Sequence, residues 1–394
     1  MRPPPLGPSR VLYVEQNTDG TVGGSYQCLY DLVRSVDPTR ITPVVLFYQD
    51  NRYVAALRAL GVEVHVVAPV PRPARRGSLP RRVARAASHV AARRAFLRRH
   101  RIDLVHLNNS PAVGVTDWLP AALLLGIPCI THARGGASPP RSAIERRLRA
   151  RYRRVIAISR HVAAAVARDG VPPARVTQIY DGVDLYAFRA AATRDPAAVR
   201  AELGAAPDAL LVAMVGHLRP WKGQLEVLRA VAALEPPHRA RLRLVFAGAT
   251  APDESDYARR LHAAVDTLGL SDTVAFLGER TDVPDLMRAA DVVVHASTEP
   301  EPFGLVVVQA MAMGRLVLAS ALGGPAEILT SDSGATFDPH DPAALAALLT
   351  RAQDDPAWRA TLGAGATRRA EDFSLARNVA QIERLYAEIM SRAR

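Results

Sequence analysis

The residues of this chain whose types and spacing could do chemistry are an acid, an amide eight positions after it, one lysine and two histidines that close apolar runs. The acid, Glu301, and the amide, Gln309, sit in STEPEPFGLVVVQAMAMG, residues 297–314, which passes from a polar loop into an apolar helical stretch. Pro302, Phe303 and Gly304 at the junction mark a helix start just before Leu305. A helix start leaves backbone N–H groups unpaired and attracts anions. A carboxylate placed there does not bind phosphate itself, so Glu301 is read as a ligand for hydroxyl groups, and Gln309, about two turns on, presents an amide to the same side. Lys222, in VGHLRPWKG (residues 215–223), is the only lysine among 50 Lys and Arg residues. A chain that uses arginine everywhere else has kept one compact ammonium at a strand-to-helix junction, which suits a phosphate that a guanidinium does not replace. Arg219 lies three residues before it and can add charge.

These residues need elements to position them. Strand-like apolar runs at residues 10–14, 42–47, 62–67, 104–107, 128–132 and 155–158 alternate with helical stretches. A second series follows at 210–215, 242–246, 274–276, 292–295 and 316–319. Such alternation predicts parallel sheets covered by helices on both faces. The turn-rich YDGVD, residues 180–184, divides the two series. We therefore expect an α/β chain of two doubly wound, Rossmann-like domains facing across a cleft, residues 1–182 and 183–374. A last helix at about 375–392 follows the second series. In such sheets ligands bind beyond the carboxyl ends of the strands, where the candidates lie.

At 394 residues the chain suits two domains, and 49% hydrophobic with 22% charged residues is ordinary globular composition. Cys28 and Cys129 lack metal spacing and read as inert core thiols. The longest apolar run, near residues 121–130, is broken by Gly126 and Pro128 and is too short to span a bilayer. Residues 1–8 are proline-rich without an apolar segment, and a cytoplasmic protein is expected. Charge is unevenly divided: residues 1–185 hold 28 Arg and 12 acids, a net of +16, and the remainder carries −4. The surplus is concentrated in residues 72–101, Arg72 to Arg101, with 11 Arg and no acid, and in 141–154, with seven Arg and one Glu. Val83, Val90 and Leu97 recur every seven residues in the first stretch, as in a basic amphipathic helix. It suits an anionic membrane surface, which would make the protein peripheral on the inner face of the membrane, or a solvated outer helix. With only 5% aromatic residues and no recognisable motif, nucleic acid is not expected as a partner.

After the first strand comes DGTVGGS, residues 19–25, whose Gly23 and Gly24 open a helix and allow close backbone approach to a ligand. His106 and His132 end two strands of the first domain; His132 is followed by Arg134, Gly135 and Gly136. A strand-end histidine is expected at the cleft, and function is assigned to His132 and a structural place to His106.

Taken in order, Gly23-Gly24, Lys222-Gly223, Glu301-Pro302-Phe303-Gly304 and Gln309 resemble the signature of the family 4 glycosyltransferases, and the resemblance covers nearly the whole chain. It implies the GT-B fold, in which the last helix packs back on the first domain. It also implies a retaining hexosyl-type transfer from a nucleoside-diphosphate sugar to an acceptor hydroxyl. By the same resemblance, Lys222 with Arg219 holds the diphosphate, Glu301 the donor sugar and Gln309 the ribose, while His132 approaches the reacting sugar. Gly23, Gly24 and Gly216 lie under the donor, Arg280 ends the strand near the base, and Pro302, Phe303, Gly304 and Leu305 complete the donor set. The chain departs from the family at Gln309, where a second glutamate is usual, and at His217, where arginine is usual. Fixed cations at the leaving group make a metal or other cofactor unnecessary, and no Asp-x-Asp motif or histidine cluster is visible. The basic first domain predicts an anionic or lipid-linked acceptor in cell-surface glycan or glycolipid synthesis, with a soluble natural-product acceptor as the alternative. A non-catalytic nucleotide-sugar sensor and a sugar-nucleotide epimerase are the other classes to separate.

Overall fold

The computed structural model describes residues 7–18, 23–69, 79–114, 117–135, 139–140, 142–250 and 254–392. Of the residues singled out above, 19–22, Arg72, Arg75, Arg76, Gly136 and Arg141 lie outside the described residues.

Contact clustering divides the chain into residues 1–182 with 375–394, and residues 183–374. The first unit holds a seven-stranded sheet made of β1 (Ser9–Glu15), β2 (Ile41–Phe47), β3 (Glu63–Val66), β4 (Leu104–Asn109), β5 (Cys129–Ala133), β6 (Arg154–Ala157) and β7 (Val176–Gln178). Its order is β3-β2-β1-β4-β5-β6-β7, with every pairing parallel. The central strands are continuous apolar runs, as in VLYV of β1, because both faces are covered. The helix Gly24–Ser35 buries Tyr26, Leu29, Leu32 and Val33 at helical spacing. The helix Leu375–Ser391, last in the chain, belongs to this unit: Val379, Ile382, Leu385, Tyr386 and Ile389 join the core of β1, β2 and β4. Full burial of each such side chain is worth roughly 1.5–3 kcal/mol.

The second unit repeats the plan with β8 (Leu210–Val215), β9 (Leu242–Ala247), β10 (Val274–Phe276), β11 (Val292–His295), β12 (Leu316–Ser320) and β13 (Ala335–Phe337). The order is β10-β9-β8-β11-β12-β13, again parallel throughout. Each sheet therefore reverses its strand order once, between β1 and β4 and between β8 and β11, and each reversal opens a crevice at the strands' carboxyl ends. β7 and β13, three residues each at sheet edges, are too short to show a period in the sequence.

The basic helix runs over Leu79–Arg99. Its seven-residue stripe is graded rather than uniformly covered: Leu97 is buried, Val90 half-buried, and Val83 is 59% exposed. Two arginines of the surplus are interior groups. Arg93 stacks its guanidinium 5.3 Å from the Trp118 ring, and Arg149 pairs with Glu145 at 2.6 Å. No helix among the described residues is long and apolar enough to cross a membrane.

Candidate active site

In the second unit the candidates gather at the β8/β11 crevice. Beyond β8 the chain makes a short 3-10 turn, Pro220–Lys222, closed by Gly223 at φ +82°. A Cβ on Gly223 would lie 1.9 Å from the carbonyl oxygen of Ala296, so only glycine lets this turn reach the end of β11. The amide of Thr298 donates to the Trp221 carbonyl at 2.8 Å and fixes the contact. Lys222 is thereby placed beside Glu301: its Nζ is 2.7 Å from the carboxylate Oε2 and 4.1 Å from the Trp221 ring centroid. Ser297 Oγ donates to the same oxygen at 3.1 Å, and His295 Nε2 stands 3.5 Å from it and 3.2 Å from Ser297 Oγ.

Burial alone pushes the Glu301 carboxyl up, but the His295 hydrogen bond and the Lys222 charge outweigh it and bring it to about 2. The carboxylate is thus ionised and held by three donors. The pair keeps an opening to solvent, with side chains 21% and 16% exposed. On the other side of Glu301, Gly323 at φ +68° runs so close that a Cβ would lie 2.3 Å from the Glu301 carbonyl oxygen. The amide of Gly324 donates to that oxygen at 2.8 Å. The following helix is Leu305–Ala312, entered through Gly304 at φ +105°, with Phe303 buried and Pro302, Leu305 and Gln309 half-buried. Gly216 follows β8 directly, His217 is exposed and Arg219 half-buried.

Arg280 is held elsewhere. Its guanidinium binds Asp282 at 2.6 Å and Glu202 at 2.9 Å, in a cluster that also contains Arg194. These bonds tie the helix Pro196–Glu202 to the loop after β10. His295, Ser297 and Trp221 are the site groups that sequence reasoning missed. His295 closes β11 as His132 nearly closes β5, and that shared position was the available signal.

In the first unit the strand-end argument meets a correction. His106 and His132 are not on an open surface: both are buried, because the last helix and neighbouring strands close over the ends of β4 and β5. His106 Nε2 lies 3.0 Å from His132 Nδ1, and its Nδ1 lies 2.5 Å from the Tyr386 hydroxyl. Burial, and next the Arg134 charge, hold His132 well below the usual histidine range, so it is neutral. At the β1/β4 crevice Glu15 accepts from Asn108 at 2.6 Å; Asn108 accepts from Arg134 at 2.9 Å; and Arg134 pairs with Asp181 at 2.5 Å. Gly23 and Gly24 are exposed at the start of the helix Gly24–Ser35, and a Cβ on Gly23 would meet nothing within 4 Å. The fold also assembles a histidine grouping that spacing did not reveal. Glu63 Oε1 is 2.8 Å from His65 Nε2 and 2.6 Å from His100 Nδ1, while Arg10 takes the other carboxylate oxygen at 2.6 Å.

Comparison with known proteins fits this architecture. Residues 197–369 match the family model "Glycosyl transferases group 1", and residues 52–186 match "Glycosyltransferase Family 4". A D-inositol 3-phosphate glycosyltransferase of Salinispora arenicola is 37% identical over 235 residues, 57% of this chain and 52% of that one. The chain thus spans about half the length of the first curated relatives it matches. Its namesake in Saccharomonospora viridis is 32% identical over 349 residues, 83% of this chain and 79% of the relative. Among solved structures, that of Anabaena Alr3699/HepE in complex with UDP superposes with a TM-score of 0.80 at 27% identity, covering 96% of this chain and 100% of that one. A HepE complex with UDP-glucose gives 0.77 at 26%, covering 96% and 99%. Two parallel doubly wound sheets, both family models and a relative aligned over most of both chains agree: this chain has the GT-B fold and belongs to the family 4 glycosyltransferases.

Proposed function

We propose that the chain is a retaining glycosyltransferase that moves a hexosyl-type sugar from a nucleoside-diphosphate sugar to an acceptor hydroxyl. The observation that carries the reading is the Lys222–Glu301 pair at the β8/β11 crevice. Cleaving the donor develops negative charge on the leaving phosphate and positive charge at the anomeric carbon. An ammonium meets the first need, and Arg219 with the amides after Gly216 adds to it. An ionised carboxylate beside it accepts hydrogen bonds from sugar hydroxyls. In the unliganded protein each neutralises the other, so an entering diphosphate takes over Lys222 while sugar hydroxyls take over Glu301.

HepE's complexes with UDP and UDP-glucose favour a uridine donor as the first to test. Gln309 then binds ribose hydroxyls as a neutral group. Arg280, engaged with Asp282 and Glu202, is assigned to shaping the base-side loop rather than to the ligand. In the first unit Gly23 has no packing reason to be glycine, which suits close approach of donor to the helix start. No metal is needed where these cations face the leaving group, so EDTA should leave turnover unchanged.

The acceptor is assigned to the first unit, whose basic helix with Val83 exposed suits an anionic or lipid-linked acceptor at a membrane surface. The relatives' name raises a small phosphorylated polyol as the competing acceptor class. Flotation with acidic and neutral vesicles separates the two, since equal or absent binding counts against the membrane. The central test is a panel of UDP-, GDP- and ADP-sugars scored for thermal stabilisation and slow hydrolysis. Stabilisation without hydrolysis or transfer to any acceptor would favour a sensor over an enzyme.

A further inference from the structure

The buried hydrogen-bond chain of the first unit has a direction. Tyr386, on the last helix, donates its only hydroxyl proton to the Tyr13 oxygen at 3.3 Å. Its oxygen therefore meets His106 Nδ1, 2.5 Å away, as an acceptor, and Nδ1 of His106 must carry the proton. A neutral imidazole with a proton on Nδ1 has a lone pair on Nε2. That lone pair lies 3.0 Å from His132 Nδ1, which must then be the N–H donor. His132 is neutral, so its Nε2 is left bare. This atom is fully buried and has no hydrogen-bond partner among the described residues. Three rings separated by 280 and 26 positions in sequence thus settle which nitrogen of His132 carries a proton.

A neutral histidine pair that merely filled space would complete its hydrogen bonds, since an unpaired buried acceptor is rare. Here four side chains are ordered in series, and the open valence appears only at the end, on His132. A lone pair is satisfied by a donor such as a hydroxyl, which an activated sugar supplies in abundance. We propose that Tyr386 and His106 are positioning residues that fix the tautomer of His132, presenting Nε2 as an acceptor for a hydroxyl of the bound sugar. This rests on the nucleotide-sugar reading for the identity of the ligand, and on the geometry alone for the tautomer.

The polarity of the chain gives a test that packing does not mimic. Tyr13→Phe removes the acceptor of the Tyr386 proton, which then turns to His106 Nδ1. His106 must next donate from Nε2, and His132 is left with its proton on Nε2. In the full chain labelled with 15N-histidine, and assigned with His132→Gln, the wild-type His132 should show a pyridine-type Nε2. Tyr13→Phe should convert it to pyrrole type, and Tyr386→Phe should give a mixture of the two tautomers. All the substitutions that test the chain remove only a hydroxyl from a buried ring, so the fold is retained, with thermal unfolding as the check. An Nε2 proton in the wild type, or the same tautomer in all three proteins, would overturn the proposal. Nucleotide-sugar turnover should fall about tenfold in kcat in Tyr13→Phe, the worth of one hydrogen bond lost, with KM for the nucleotide sugar little changed. An inverted tautomer with unaltered kcat would refute the sugar contact while leaving the tautomer lock standing. Wild-type protein that turns over no nucleotide sugar would defeat the functional reading, and the spectra would still judge the lock.

Discussion

The two units share one strand plan and treat its crevice in opposite ways. At β8/β11 a glycine turn brings Lys222 against an ionised carboxylate that stays partly open to water. At β1/β4 the carboxylate, Glu15, is buried among Asn108, Arg134 and Asp181, and burial raises its affinity for a proton despite the Asn108 bond. An open pair can exchange its partners for those of a ligand. A sealed one holds the strand ends in place, because exchange would leave a buried charge unpaired. Identical topology therefore makes a binding site in one unit and an internal brace in the other.

The comparison can be broken most sharply at the brace. Asp181→Ala leaves Arg134 buried without its counter-charge, both side chains being under a tenth exposed, and should cost about 3–5 kcal/mol in denaturant unfolding. A loss below about 1 kcal/mol would mean that water reaches the site and that the two crevices are alike. Lys222→Ala should act the other way round. Sugar transfer should fall by about 10²–10³ with thermal unfolding nearly unchanged, as when one charge-stabilising donor is removed. Near-normal turnover would withdraw the phosphate role.

Gly223→Ala should disturb both stability and turnover, because the added methyl meets the Ala296 carbonyl and φ is positive. A destabilisation of about 1–3 kcal/mol and a loss of donor-induced stabilisation are expected. A variant that is destabilised but binds donor normally would show that the turn is not what places Lys222.

The smallest effect is the response to acid, and it has opposite signs in the two units. Glu301 is depressed to about 2 from an ordinary 4.5, so its contribution to stability is present above pH 4.5 and is lost as pH falls through about 2. Glu15 is raised, so its contribution is full below the ordinary carboxyl range and declines as pH rises through it. Glu301→Gln should thus be less stable than wild type at neutral pH, with the gap closing in acid. Glu15→Gln should be nearly neutral or stabilising at pH 7, and that advantage should shrink in acid. Parallel stability–pH curves for the two variants would contradict the assigned difference.

Much of the architecture was legible in the residues. Strands buried on both faces write themselves as apolar runs; helices show their buried stripe, and the glycine turns stand where sheets hand over to helices. The three-residue edge strands β7 and β13 were not legible, since they are too short for a period. The candidate site was legible where residue type is restrictive. A solitary lysine and an acid before a helix were marked as a pair though 79 positions apart, and the fold joins them at 2.7 Å. His295 and Ser297 escaped because each is an ordinary residue whose meaning comes only from Glu301 beside it. Arg280 misled because nothing local reveals Glu202, 78 positions away, which shares it with Asp282.

The order of types along the chain determined two parallel doubly wound sheets, their division near residue 182 and the return of the last helix, because hydrophobic period and turn chemistry are local properties. Which charges stay open and which are sealed, and which nitrogen of His132 carries a proton, was decided only in three dimensions. Burial and hydrogen-bond partnership depend on residues brought together from opposite ends of the chain. Tyr13 and Tyr386, 373 positions apart, have no relation in the sequence until the final helix packs against β1.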